Sequence, residues 1–278
     1  MPSENLTRTT EFITAELNFQ YVEIMSERGR AELGLTGARI GGGAALAMRN
    51  DPTGGGWNKT IGLGFTEPVT EKLIGEVVDF HREHGSPSAQ IQLAPEVLPA
   101  DWDDICAAYG LTAGDATVKL VGDVDDFKPG HTDLRVGRVG VEDAEEWASM
   151  LEEVFGLPEQ FNSSLVAAVG RPDMLTFAAW DGDTMVAGAG LFLFGEFASL
   201  HNGATRESHR NRGAQSALLT ARAQAAAESG VRWLFSDTGK PAEGESNPSL
   251  NNMIRSGLTP MYDNQSWIWR PEGNTTAG

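Results

Sequence analysis

The sequence predicts a mixed α/β fold, an α+β arrangement around mixed sheet, in two similar halves. Three observations carry that expectation. Apolar residues recur with helical spacing in some segments and alternate with strand spacing in others. In the second half, strands joined by tight turns run into a strand–helix–strand unit whose two strands must be parallel. The first half echoes this with a strand–helix–strand–helix–strand order. At 278 residues the chain has room for two ordinary domains.

In the first half, Phe12 to Arg28 reads as a helix. Ala44 to Met48 is a short apolar strand between the clusters Gly41-Gly42-Gly43 and Gly54-Gly55-Gly56, which read as loops. Neither cluster ends in the Lys-Ser/Thr of a nucleotide-binding P-loop. Ile61 to Phe65 is a strand. Thr70 to His84 is an amphipathic helix with Leu73, Val77 and Phe80 on one face and Gly85 as its stop. Ala89 to Leu93 alternates as a strand, Asp101 to Tyr109 is a helix, and Thr117 to Val121 is a strand. The polar segment Asp123 to Gly130, broken by Pro129-Gly130, is read as the domain boundary. This gives domains of 1–126 and 127–278.

The second half opens with a strand over Leu134–Val139 and helices over Glu142–Phe155 and Pro158–Val169. Met174–Trp180 and Met185–Phe194 form a hairpin around Asp181-Gly182-Asp183. Glu196–Thr205 is a further strand. A long helix, about Asn211 to Ser229, places Ala214, Leu218, Ala221 and Ala225 on one face. The strand Val231–Phe235, the helix Asn247–Arg255 and the strand Met261–Trp269 complete the half.

The formal net charge is -18. Nucleic acid is a poor partner for such a surface, because its binding depends on neutralising phosphates. The single cysteine, Cys106, excludes an intramolecular disulfide framework and a multi-thiolate metal site, and reads as a small buried residue. No metal site is expected. Met1 to Thr14 lacks the basic start and apolar run of a secretory signal, and no stretch is long and apolar enough to span a membrane. The cytoplasm is the expected address.

The charge is not uniform. Between Thr205 and Arg222 stand four arginines (Arg206, Arg210, Arg212, Arg222) against one acid, Glu207. This stretch runs from a strand end through a polar loop into the long helix. The first turn of a helix leaves backbone N–H groups unpaired and favours anions. Gly213 allows a ligand close to the backbone. The loop Arg210-Asn211-Arg212-Gly213-Ala214-Gln215 therefore has the ingredients of a pyrophosphate cradle.

This loop resembles the Q/R-x-x-G-x-G/A signature of the GCN5-related N-acetyltransferase (GNAT) superfamily. Asn247 to Leu258 is similar to that superfamily's N-x-x-S/A…G-F element, and the strand order of 133–270 fits. The resemblance implies a GNAT fold binding acetyl-CoA. Arg210 and Arg212 would supply charge, and the backbone amides of Asn211, Arg212, Gly213, Ala214, Gln215 and Ser216 would hold the pyrophosphate. Gly203, Ala204 and Thr205 would pair with the pantetheine arm, and an N–H near Thr205 would stabilise the oxyanion. Asn247 or Asn251 would lie near the same arm.

Two positions depart from the pattern. Gln215 stands where Gly or Ala is usual, and Met253 stands where a proton-donating Tyr is often found. Tyr262 or solvent would then protonate the thiolate. His201 is the candidate base and Asp237 the candidate ligand for a substrate ammonium, with Glu196 a weaker one. The first half carries Thr66-Glu67-Pro68-Val69 before its helix, without arginine or glycine. It reads as a degenerate tandem copy, so one cofactor is expected per chain.

The expected activity is acetyl transfer from acetyl-CoA to a primary amine of a small molecule by direct attack. The alternatives are different acyl chemistry on the same fold, or a non-catalytic acyl-CoA sensor.

Overall fold

The computed structural model describes residues 3–53 and 56–271; Gly54 and Gly55 of the second glycine cluster lie outside them. The chain divides into two compact units. Unit 1 comprises Met1–Thr117 and Tyr262–Gly278, and unit 2 comprises Val118–Met261.

Unit 1 begins with two helices, α1 (Ser3–Ile24) and α2 (Glu27–Leu33), where the sequence suggests one over 12–28. The break falls at Ser26, whose Oγ accepts a hydrogen bond from Gly29 N at 3.1 Å and caps α2. Strands β1 (Leu35–Ile40) and β2 (Gly43–Met48) form an antiparallel hairpin. Its turn residues, Gly41 and Gly42, have φ 57° and 79°. Two successive positive φ values are the requirement of the tightest hairpin turns, which glycine meets without strain. The buried β2 is legible in the sequence, but β1 is half-exposed along its length and carries no apolar pattern.

The next unit 1 elements are β3 (Lys59–Ile61), α3 (Glu71–Glu83), β4 (Ala89–Leu93) and α4 (Trp102–Tyr109). β3 and β4 are parallel, so β3–α3–β4 is a crossover of the expected kind. Leu73, Ile74, Val77 and Val78 of α3 pack with Ile91 and Trp102 in the core. Cys106 is partly buried at the edge of this core, and burial pushes its thiol pKa up, as suits an inert packing residue.

The division between units falls within β5 (Thr112–Asp123) and β11 (Thr259–Trp269). In unit 1 the strand order is β1-β2-β3-β4-β11, with β5 beyond, and β11 is antiparallel to β4. The expected boundary at 126–127 differs from this division for a physical reason. Asp123 Oδ1 accepts from Asp125 N, Val124 N donates to Arg232 O, and Lys128 N donates to Ser256 O. The acidic segment is thus packed onto unit 2 despite its linker-like composition.

Unit 2 continues with β6 (Arg135–Arg138), α5 (Ala144–Phe155), α6 (Asn162–Ala168), β7 (Met174–Asp181), β8 (Thr184–Phe194), β9 (Phe197–Thr205), α7 (Ala214–Glu228), β10 (Trp233–Gly239) and α8 (Pro248–Arg255). The strand order is β5-β10-β9-β8-β7-β6. β6 to β9 form an antiparallel meander, and β9 and β10 are parallel. Leu191, Leu200, Leu218, Leu234 and Met253 are among the core residues. Among the described residues, no helix is long and apolar enough to cross a membrane, and no His/Cys/Asp/Glu group is arranged to hold a metal ion.

Candidate functional site

Two features of unit 2 create the site. The first is a divergence of parallel strands. β9 and β10 pair only through Trp233–Phe197, Leu234–Ala198 and Phe235–Ser199. Beyond this, Ser236 Oγ donates to Leu200 O at 3.0 Å, and the ladder then ends. The remainder of β9, up to Gly203, Ala204 and Thr205, pairs with β8 but has no strand partner on its β10 side among the described residues. β9 also bulges: Gly188 pairs with Ala204 and Gly190 with His201, leaving two β9 residues opposite one on β8. Asn202 takes φ 51° within the bulge.

The second feature is the turn from β9 into α7. Asn211 and Gly213 have φ 65° and 80°, and this alternation curves the backbone into a concave row of amides. Gly213 is the N-cap of α7 and supplies no side-chain cap. Ala217 N makes the first bond back into the helix, to Gly213 O at 3.0 Å. The amides of Ala214, Gln215 and Ser216 therefore have no partner within the helix. Glycine is needed at 213 twice over: for its positive φ, and because a Cβ would collide with His131 O.

The arginines divide by partner. Arg212 Nη1 donates to Asp181 Oδ2 at 2.6 Å, and Arg212 also pairs with Asp133. Its guanidinium holds both carboxyls below the usual carboxylate range. Thr132 Oγ1 donates to Arg212 O at 2.7 Å, so the residues just before β6 clasp the loop. Arg206 pairs with Glu153 at 2.8 Å. Arg222 is buried: its Nε donates to Leu218 O, and its Nη1 to Gly190 O at 3.1 Å and His201 O at 3.3 Å. It thereby ties α7 to the bulge, and burial pushes its pKa down to about 9. Of the four, Arg210 alone is exposed with no acid partner among the described residues.

The other expected site residues fare differently. Gln215 Nε2 donates to Thr205 Oγ1 at 3.1 Å, turning the side chain toward β9. Asn247 is the N-cap of α8: its Oδ1 accepts from Ser249 N and Leu250 N, and its Nδ2 donates to Thr238 Oγ1 and Gly239 O. A role toward a CoA arm is therefore withdrawn for Asn247, while Asn251 is exposed on the same helix. Met253 is core, 8% exposed, and donates no proton.

His201 lies against Gly190, where any Cβ would meet the ring. Burial pushes its imidazole down to about 4; the Ser199 carbonyl opposes this and Arg222 reinforces it. So weak a base is poorly matched to an amine proton near neutrality. The contacts of the ring with Gly190 suit a packing role. Asp237 stands within β10 and accepts from the buried Lys119 Nζ at 2.7 Å, so its carboxylate already has a cation. Tyr262 belongs to unit 1, where its hydroxyl donates to Glu11 Oε1 at 2.8 Å. Glu196 sits in the turn before β9, at the opposite end of that strand from Thr205.

One residue was not anticipated. Glu152, in the last turns of α5, is half-buried, with Oε1 enclosed and lacking a hydrogen-bond partner among the described residues. Burial raises its pKa; Asn162 opposes the shift, while Glu145 and Glu159 add to it. The adjacent Glu153 bridges to Arg206, immediately after β9, which places this turn of α5 at the Thr205 end of the strand.

Diverging parallel strands, a bulged β9 and an uncapped, glycine-led helix start form one framework. Residues 141–244 match the model of the acetyltransferase (GNAT) family. Residues 141–244 form a GNAT-family domain. No curated protein matches the chain. Among solved structures, the fold is similar to a GCN5-related N-acetyltransferase from Kribbella flavida, with TM-score 0.58 and 14% identity over 89% of this chain and 95% of that one. It is also similar to a tandem GNAT protein from the clavulanic acid biosynthesis pathway, with TM-score 0.58 and 13% identity over 92% and 95% of the two chains. A GCN5-related N-acetyltransferase from Sphaerobacter thermophilus gives TM-score 0.59 and 14% identity over 85% and 76%.

The fold of unit 1 is GNAT-like as well, with β3–α3–β4 corresponding to β9–α7–β10. The two helix starts differ chemically. In unit 1, Thr70 Oγ1 accepts from Leu73 N at 3.2 Å, and Glu71 occupies the first turn. That start is capped by its own side chain and carries a negative charge, whereas the start of α7 is open and bears no acid.

Proposed function

We propose that the chain transfers an acetyl group from acetyl-CoA to the primary amine of a small molecule. GNAT-family membership carries the coarser statement, acyl transfer from an acyl-CoA. The observation that best supports binding in this chain is the open row of amides at Ala214–Ser216 behind Gly213, with Arg210 uncommitted beside it. These groups suit a pyrophosphate in charge and shape. The unpaired side of β9 from His201 to Thr205 suits an extended amide-bearing arm. When bound, acyl-CoA supplies an activated thioester.

The residues here would do three things. The backbone of 211–216 anchors the diphosphate. An amide near Thr205, in the segment steadied by Arg222, faces the carbonyl oxygen as charge develops there. Glu152, with its raised pKa, takes the proton from the incoming amine. Asn251 lies toward the CoA arm, and solvent protonates the thiolate.

A second reading, acyl-CoA binding with different acyl chemistry or none, is favoured by one observation: Met253 is core where a proton donor is common. Thiol release from acetyl-CoA across an amine panel separates the readings. Amine-dependent release supports transfer. Amine-independent release supports hydrolysis, and saturable binding without release supports a sensor.

A further inference from the structure

Unit 1 holds a groove of about 430 Å3 formed by the end of α1, α2, β1 and the start of the segment after β2. Val22, Glu23, Arg30, Thr36, Arg49 and His84 line it. Three guanidinium groups of this unit find a carboxylate: Arg28 pairs with Glu32, Arg39 with Glu16 and Arg82 with Asp79. Among the described residues, Arg30 and Arg49 have no carboxylate within ion-pair reach, and both line this groove with His84. Glu23 is the only carboxylate among the lining residues.

The simplest structural explanation would be that these arginines cap the C-terminal carbonyls of α2. The hydrogen bonds argue otherwise. Gly34 N serves Arg30 O and Ala31 O, Asn50 Nδ2 donates to Glu32 O at 2.8 Å, and Asn50 N donates to Leu33 O at 3.0 Å. The helix end is satisfied without either guanidinium.

Arg49 is also held in place. Gly34 and Gly85, both at positive φ, flank its side chain. A Cβ at Gly34 would stand 2.9 Å from Arg49 Cβ, and one at Gly85 would stand 3.1 Å from its Nε. The two glycines make room for the stem, which packs against both of them. A charged fork positioned before its ligand arrives loses less freedom on binding.

We propose that this groove binds a small phosphate-type oxyanion, gripped by the forks of Arg30 and Arg49 with His84 as a further donor. The site is independent of the acyl-CoA loop in unit 2.

Calorimetric titration of the full chain with inorganic phosphate, in chloride buffer of physiological ionic strength, tests it. Saturable binding is expected, weakened about tenfold or more in each of Arg30→Gln and Arg49→Gln. Arg49→Lys, which keeps the charge and the fold, should weaken it as well, because the bidentate geometry is lost. Arg210→Glu should leave it unchanged. Absence of saturable phosphate binding would overturn the proposal, as would binding lost in Arg210→Glu yet retained in both glutamine variants. Succinate at the same ionic strength should bind more weakly; equal or tighter binding would overturn the phosphate assignment.

Discussion

Lys119 Nζ lies 2.7 Å from Asp237 Oδ2, with the lysine side chain 1% exposed and the aspartate 42% exposed. The asymmetry decides which partner matters more to stability. Asp237→Asn takes a full charge away from a buried ammonium, a change expected to cost about 2 kcal/mol or more. Lys119→Met leaves the carboxylate half in water and fills the same space with apolar atoms, so its cost should be smaller. Denaturant unfolding of the two variants checks the order. Equal losses would contradict this reading of the pair.

Arg210 and Arg212 are two residues apart and should behave differently. Arg210→Ala should raise the KM for acetyl-CoA roughly tenfold or more, the scale of one charge-assisted hydrogen bond, with little change in unfolding midpoint. Arg212→Ala removes the guanidinium that joins Asp133 to Asp181. It should loosen the loop, lowering thermal stability along with cofactor affinity. Initial rates and thermal melts on both variants provide the comparison. Gly213 is unsuitable for this purpose, since any side chain there meets His131 O and perturbs the fold itself.

Glu152→Gln should reduce kcat about a hundredfold, the usual range for a positioned general base, with a smaller effect on the KM for acetyl-CoA. It should also remove the acidic limb of the kcat/KM pH profile, because the raised pKa of Glu152 sets that limb. An unchanged limb would assign the proton transfer elsewhere. His201→Gln should leave the limb in place, since that imidazole stays neutral down to about pH 4.

Stability should fall on mild acidification. His81 is enclosed in unit 1 between Thr60 Oγ1 and Ser86 Oγ, each 3.0 Å from a ring nitrogen. Burial, with a contribution from His84, pushes its pKa from 6.5 to about 4. Between these values the unfolded chain binds a proton that the folded chain refuses, so stability decreases as pH falls through the window. The full loss approaches about 3 kcal/mol once pH is below 4. His201 acts in the same direction in unit 2. Chemical unfolding from pH 7 to 4 measures the slope, and His81→Asn should make it shallower by about one proton.

Much of the fold was legible because its elements bury regular faces. Leu73 and Val77 mark α3, and alternation marks β4. The half-exposed β1 was not legible, and β10 begins and ends later than the apolar run Val231–Phe235 suggests, so Asp237 lies within the strand. The loop at 210–216 was legible from local charge and from Gly213. The division of labour among its arginines was not, because the partners Glu153, Asp133 and Asp181 are remote in sequence. Arg222 adds to the local positive charge of the sequence, yet it sits on the buried side of α7 and bonds to carbonyls of β8 and β9. Asn247 fitted a family pattern, but its position before Pro248 equally marks a helix cap, and that is where its hydrogen bonds go. Glu152 escaped notice because its environment is made by residues that meet only in the folded unit.

The central claim is that one acyl-CoA binds per chain, at the open start of α7. Calorimetric titration with acetyl-CoA tests it most directly, comparing the natural sequence with Arg210→Glu. The account predicts one site per chain, with affinity reduced about a hundredfold by the charge reversal. Two sites per chain, or an affinity indifferent to Arg210→Glu, would contradict it.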